Sequence, residues 1–548
     1  MRKSLYVLLL LAVPWLGGCT DPLDVKNYNN PNRDDVLATP ADLENWVIGT
    51  FNTWFRAWTR QNGRPQLFSM GLENHSELMN YNMGPRYLIP RNLFENTRGA
   101  QGTAEVNADF LALSRAARSA ALGISKLDEG VSIGSVGEDA RARAFGYLVL
   151  GVSVGYLSFV WDSATAVTPG DDPEVAPDLV PYAAVNASAI AALDSAEAIV
   201  NANPGAFTVP ASWLRQSSDM SQADFLRLIR SYRAQIRAGV ARTPAERAAV
   251  DWAAVTADAD NGITADFEVN LDPAANFNVS WFGDQFRAGS WHSMHLFIIG
   301  MADTTGAYQS WLNVPRASKV QFTIQTPDLR FPRGATRTEQ QSGTAQLPAG
   351  QYFRNRPPGD DTAGDPLGNS AYDHYRFRGI YDANQVAPFP TLTKAEVDML
   401  AAEGYIRTSQ WGPAMAKINP TRQAAGLPPL AGISSLNDPV PGGLGCVPRV
   451  PVYSGGSYQA VCGNIMEAMK WEKRMEGIYT GYGNWFVDSR GWGDLPEGTP
   501  VNFPVPWDEK DSRRAAFTTA VGGCARLGTP ESAGASTYGP ALSCNPAP

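Results

Sequence analysis

The stretch VNADFLALSRAARSAALGISKL, Val106 to Leu127, decides the fold class. Val106, Phe110, Leu113, Ala117, Ala120, Ile124 and Leu127 recur every three or four residues, which puts them on one stripe of an α-helix. The alanines and the glycine in the stretch let a neighbouring helix approach closely. The same period returns in Phe145, Leu148, Val152, Tyr156 and Phe159, then in Val185, Ala189, Leu193, Ala196 and Val200, and again in Phe225, Leu228, Tyr232, Ile236 and Val240. The first two of these helices begin about 34 residues apart, the spacing of a tetratricopeptide helix pair. Later spacings are irregular, so the pattern predicts packed helical hairpins and not a regular repeat array.

Upstream, Thr39-Pro40-Ala41-Asp42 starts a helix with proline at an early position. The helix runs to about Thr59 and carries Leu43, Trp46, Val47, Phe51, Trp54, Phe55 and Trp58, whose rings are expected mostly in the core. Gln61 to Gly102 is a long irregular stretch holding Asn74, His75, Tyr81 and Tyr87. A loop of that length in a compact domain is functional or disordered, and its aromatics favour function. Downstream, residues 262–390 lose the helical period and are dense in rings, among them Trp281, Trp291, Tyr308 and Trp311. Val320 to Ile324 alternates like a short strand. Helices resume at Thr393, an N-cap with Glu396 at the capping-box position. Trp411 to Gly426 reads as a helix or broken helix, Pro428 to Gly463 as loop, and Asn464 to about Gly477 as a charged helix. The tail to Pro548 is irregular.

The N-terminus says where the chain goes. Arg2 and Lys3 precede the apolar run Leu5 to Leu16, and Gly17-Gly18-Cys19 follow. A basic head, a greasy run and small residues fit a secretory signal. The run is too short for a membrane span, which needs about 20 apolar residues. The stretch resembles the lipobox of bacterial lipoproteins, in which the cysteine, here Cys19, becomes the lipidated first residue. The alternative is an ordinary cleaved signal with an incidental cysteine. On this reading residues 1–18 are removed, 19–40 form a lipidated tether rich in Asn, Asp and Pro, and 41–548 form the body.

Removing Arg2 and Lys3 from 45 basic residues leaves 43 against 54 acidic ones, a net charge of −11. No basic run offsets it, so nucleic-acid binding has no electrostatic support. Cys446, Cys462, Cys524 and Cys544 remain after Cys19. Four cysteines allow three pairings. Local pairing, across 16 and 20 positions, is preferred. Zinc sites want spacings of about two to four residues, so no metal is expected.

The sequence holds motifs that look chemical. Gly151-Val152-Ser153-Val154-Gly155 matches the G-x-S-x-G elbow of hydrolases, but that elbow needs a preceding strand, and here the segment lies in a helical stripe. His292 and His295 lack the Glu of a zinc-protease helix. Glu472, Arg474 and Glu476, Arg422, and Asp488 with Arg490 read as structural ion pairs that hold the C-terminal loops. The useful lead is the loop aromatics. A sugar ring stacks its apolar face on Trp or Tyr, while Asn, Asp and Arg bond its hydroxyls. Asn74, His75, Tyr81 and Tyr87 in the early loop, with Trp281, Trp291, Tyr308 and Trp311 in the insertion, are the candidate ligand residues.

The last quarter carries a resemblance. Ala402-Glu403, Ile418-Asn419, Arg422 and Ala425-Gly426-Leu427 look like an acidic helix followed by "iN-x-x-R-x-x-A-G-L". Trp471 to Glu476 resembles an "E-R-x-E" helix, although Lys473 stands between Glu472 and Arg474. Asn484 to Gly493 supplies the aromatic, Asp and Arg-x-Gly, and Phe503 to Pro506 the closing "P-I-P". With the lipobox and the early helices, the chain is similar to the SusD/RagB family of outer-membrane nutrient-binding lipoproteins. The resemblance implies a mainly α, tetratricopeptide-like helical hairpin scaffold (41–261 and 391–490) with long loops, a small β and loop-rich insertion near 262–390, and an irregular segment 491–548. It further implies a surface-exposed, non-enzymatic protein without a cofactor. Such a protein sits on a SusC-like TonB-dependent outer-membrane transporter and captures oligosaccharides, or in some members peptides. A secreted hydrolase is the remaining alternative.

Overall fold

The computed structural model describes residues 37, 39–60, 63–76, 86, 88–100, 103–172, 174–280, 292–341, 346–357 and 364–546. The chain is mainly helical. Helix α1, Pro40–Thr59, starts where Thr39 Oγ1 accepts the Asp42 amide at 3.2 Å. It turns Leu43, Val47, Phe51, Trp54, Phe55 and Trp58 inward. After the short α2, Gly63–Met70, the hairpin of α3, Thr103–Asp128, and α4, Val136–Val160, forms the centre. All seven stripe residues of α3 are buried.

Helix α4 opens with a reciprocal capping box between Ser135 and Glu138. It is long and apolar enough to cross a membrane, yet most of that apolar length is buried inside the molecule. A helix apolar all round belongs in a core. It packs on α3, on α5 (Tyr182–Ala202) and on α6 (Gln222–Gly239). Three glycines make that possible. A Cβ on Gly146 would lie 2.8 Å from Ile124 Cγ1 of α3, on Gly151 2.6 Å from Leu193 Cγ of α5, and on Gly155 2.4 Å from Ile236 Cδ1 of α6. Ser153 is buried between them and donates to the Val149 carbonyl at 2.7 Å. The G-x-S-x-G segment is therefore a packing device.

Helix α7, Trp252–Asp260, packs on α8, Lys394–Arg407, although 133 residues separate them. The stretch between folds back on itself. Strand β5, Phe267–Asn270, pairs antiparallel with β9, Pro388–Leu392, so the chain leaves and returns at one place. Inside lie β6 (His292–Met294), β7 (Phe353–Asn355) and β8 (Tyr372–His374). Strand β6 pairs with β1, Asn74–Ser76, and β7 with β8. Helices α9, Trp411–Ala424, α10, Ile465–Glu476, and α11, Asn484–Trp492, close the body.

Three local expectations need correction. Val320 to Ile324 is not a strand; the Ile324 amide donates to the Tyr372 hydroxyl at 2.7 Å in place of a ladder partner. The loop expected over 428–463 contains a hairpin, Arg449–Ser454 with Ser457–Cys462, turned by Gly455 and Gly456 at φ 59° and 84°. At α8, Thr393 caps the Glu396 amide at 3.1 Å, but the Glu396 carboxylate does not reach back. It turns inward to Gln235 at 2.7 Å and Asn484 at 3.0 Å. The cysteines pair locally, Cys446 with Cys462 and Cys524 with Cys544.

Candidate functional site

The C-terminal motif residues meet in buried charge clusters. On α10, Glu472 accepts from Arg330 at 2.9 Å and lies 3.7 Å from Arg422 of α9. Arg330 also pairs with Asp328 at 2.8 Å and Glu476 at 3.1 Å. Arg422 donates to the Val447 and Pro428 carbonyls at 3.0 and 3.2 Å. Arg474 pairs with Asp494 at 2.6 Å and donates to Tyr538 Oη at 2.9 Å. Asp488 of α11 takes Lys473 at 2.7 Å and Arg247 at 3.2 Å. Arg490 donates to three backbone carbonyls, Phe159 at 2.6 Å, Val501 at 2.7 Å and Gly239 at 2.8 Å. Asp328, Glu472 and Asp494 are almost fully buried and each has a cation at hydrogen-bond distance. Carboxylates held this way bind loops together. Arg330, the hub of one cluster, has no signal in the sequence, because it reaches α10 only through the folded insertion.

The described parts of the two aromatic loop regions meet. Strand β1 lies against β6 with Asn74 opposite Met294 and Ser76 opposite His292. Asn74, His75, Tyr308 and Trp311 are all buried. Asn74 accepts from Ser69 Oγ at 2.9 Å and donates to Tyr479 Oη at 3.4 Å. Burial, with His292 and Arg356 nearby, pushes His75 down to about 3, so the ring is neutral. A Cβ on Gly368 would meet the His75 ring at 2.6 Å and His295 Nε2 at 2.9 Å, so this glycine lets the two imidazoles pack. Tyr308 donates to the Phe297 carbonyl at 2.6 Å and stacks on Trp311, over which Lys319 lies at 4.6 Å. Cys19, Tyr81, Tyr87, Trp281 and Trp291 lie outside the described residues. Among the described residues no three His, Cys, Asp or Glu side chains gather as metal ligands.

An open cleft of about 740 Å³ lies elsewhere, between α1, α3 and the loop 167–177. Trp46 of α1 is its aromatic wall, half-buried where its helix neighbours Leu43 and Val47 are fully buried. The indole is fixed. Its Nε1 donates to the Ser119 carbonyl at 2.9 Å, and Gly123 leaves it room: a Cβ there would lie 3.4 Å from Trp46 Cδ1. Leu122, Ser119, Ser125 and Arg118 of α3 form the second wall, and Thr168, Asp171, Asp172 and Glu174 the third. The loop is held in place. Asp171 accepts the Thr168 amide at 2.8 Å and its hydroxyl at 3.1 Å, and Arg118 donates to the Val175 carbonyl at 2.8 Å. One fixed indole beside hydroxyls and carboxylates can bind an amphipathic ring. Two other clefts of similar size, about 690 and 750 Å³, lack this: the ring at one is the buried Phe267, and at the other Tyr182 is covered by Arg242 at 3.6 Å. The sequence reading expected most of the α1 rings in the core and named no exception. The stripe alone could not separate Trp46, because its exposure depends on the loop two helices away.

No protein-family model matches the sequence, and no curated protein matches it. Solved structures do match. A SusD superfamily protein from Bacteroides vulgatus aligns with a TM-score of 0.55 at 12% identity, over 87% of this chain and 98% of that one. NanU of B. fragilis aligns with a TM-score of 0.54 at 12% identity, and a SusD-like protein from Bacteroides fragilis with 0.51 at 14%; each covers 89% of this chain and 98% of the other. The helical hairpins, the folded-back insertion and the buried C-terminal charges thus form one architecture, and the chain has the SusD-like fold of that superfamily.

Proposed function

We propose that the protein is a lipid-anchored capture protein of the outer membrane that binds oligosaccharides at the cell surface and delivers them to a SusC-like TonB-dependent transporter, without catalysis. The observation that carries the reading is the Trp46 cleft, a fixed aromatic wall ringed by hydroxyls and carboxylates on a rigid helical scaffold. The SusD-like fold along nearly the whole chain supports it, as does the lipobox-like segment ending at Cys19. Residues 41–548 act as one binding domain, with 19–40 as the tether. Two acyl chains, at about 0.8 kcal/mol per buried methylene, make an anchor that does not readily leave a membrane. Tethering keeps the capture surface beside its channel and raises the local concentration of both.

Calorimetry of the purified body against a panel of oligosaccharides and peptides tests the ligand class. Binding to at least one oligosaccharide is expected, and peptide binding with no oligosaccharide binding would sink the reading. Co-purification from native membranes should bring down a large β-barrel partner. Cys19→Ala protein should bind ligand in solution yet fail to support uptake; intact uptake would remove the tether from the mechanism.

A further inference from the structure

The charges around Trp46 narrow the ligand class. Asp171, Asp172 and Glu174 lie on one wall, and Arg118 is the one cation among the described lining residues. Its guanidinium donates to the Val175 carbonyl and ties the loop to α3. Asp171 is committed to the Thr168 amide and hydroxyl. Asp172 gives one oxygen to the Glu174 amide at 2.8 Å, and both Asp172 and Glu174 are exposed at the cleft. Ser125 of the opposite wall is half-buried. A ring lying against the indole would therefore meet acceptors that suit hydroxyl donors, and a carboxylate on that ring would face three carboxylates against one guanidinium, a net charge of −2.

We infer that the Trp46 cleft is a sugar subsite that takes an uncharged pyranose unit against the indole and rejects units bearing a carboxylate. The inference rests on the glycan-capture reading and adds to it a place and a selectivity. The physical basis is twofold. The aromatic wall removes the apolar face of a sugar from water, which is orientation-specific because the indole is pinned at Nε1. The carboxylates accept from hydroxyls as charge-assisted partners and repel anions across a distance too short for salt to screen fully.

The test is calorimetry with neutral oligosaccharides and with matched oligosaccharides containing uronic acid. It is run on the whole lipid-free body and on four variants. The wild-type protein should bind a neutral member at least tenfold more tightly than its acidic counterpart. Trp46→Ala should weaken neutral binding more than tenfold, while Trp46→Phe keeps most of it. Because Trp46 also packs on Gly123, Ser125→Arg, which fills the cleft from a half-buried position, should weaken binding equally without touching the core. Asp172→Lys should bring the acidic oligosaccharide to within threefold of the neutral one. Wild-type affinity in both Trp46→Ala and Ser125→Arg, with glycan binding intact, overturns the subsite and leaves the capture function standing. A wild-type preference for the acidic oligosaccharide overturns the selectivity. Failure of every oligosaccharide, with peptide bound, overturns the capture function itself.

Discussion

Glu403→Gln is the sharpest test of how the C-terminal half is held. Glu403 of α8 is fully buried and surrounded by donors. Arg247 gives it Nε at 3.0 Å and Nη2 at 2.6 Å, Arg407 gives Nε at 2.9 Å and Nη2 at 2.8 Å, and Trp492 gives Nε1 at 3.2 Å. Glutamine keeps the shape but must aim an NH2 group at one of these donors. Burial alone would raise the Glu403 carboxyl; the Arg247 guanidinium, helped by Arg407 and Lys473, reverses that and brings it down to about 2 from 4.5. That difference corresponds to roughly 3 kcal/mol of folded-state stabilisation at 25 °C. Breaking a buried ion pair from one side costs about 3–5 kcal/mol by mutational precedent, so the two routes agree. The sign follows from the lowered value. The stabilisation is complete above about pH 4.5, where the unfolded carboxyl is ionised, and is lost as pH falls toward 2. Equilibrium urea unfolding at fixed temperature should show Glu403→Gln less stable by about 3–4 kcal/mol at pH 7, with the gap narrowing to roughly 1–2 kcal/mol at pH 3. A gap under about 1 kcal/mol at pH 7, or one as wide at pH 3 as at pH 7, would refute the assignment.

Other tests follow the same logic. Gly155→Ala gains about 1 kcal/mol of helix propensity but drives a methyl to 2.4 Å from Ile236 Cδ1, so it should destabilise by about 1–2 kcal/mol net, while Ser153→Ala should leave ligand binding unchanged; calorimetric melting with a binding assay checks both. Burial holds Glu73 up at about 8, with the Tyr479 amide and Arg64 opposing, so the folded chain binds a proton that the unfolded chain has released. Wild-type stability should accordingly fall as pH rises from about 4.5 to 8, and Glu73→Gln should flatten that slope by several kcal/mol in urea titrations at pH 5, 7 and 9. Cys524→Ser with Cys544→Ser opens a loop closed across 20 positions and should cost about 3 kcal/mol, read as a drop in urea midpoint with a steeper slope, because the freed chain exposes more surface when unfolded.

Periodicity made the helical scaffold legible because each helix buries a stripe. Val106, Phe110 and Leu113 repeat at the right interval whatever they pack against, and Thr39 and Thr393 cap helices by local bonds alone. The disulfides were legible because short loops favour near partners. Pairings between distant segments were not. Nothing at Ser76 announces His292, and nothing at Arg330 announces Glu472. Tyr308 and Trp311 lie buried on the short helix Ala307–Leu312, which the fading period of the insertion did not announce. Trp46 lies on the same helix as the core rings of α1 and packs partly against the core, and only the position of residues 167–172 and 174–177 leaves its other side at a cleft. The Gly455-Gly456 turn went unread although paired glycines between two strand-like segments signal a hairpin.

Arg490 has a consequence for how the chain comes to be folded at all. Its guanidinium serves carbonyls at the ends of α4 and α6, Phe159 and Gly239, which belong to the first half of the chain. Those helix ends wait for a donor that emerges from the ribosome hundreds of residues later. Until then the apolar α4 has its neighbours but not its closure, and such long-range contacts form slowly because loop entropy is spent before they return anything. An N-terminal piece ending before α11 should therefore stay open to proteolysis. The early helix ends are thus closed only once α11 has been made, so the stability of the first half depends on a segment near the end of the chain.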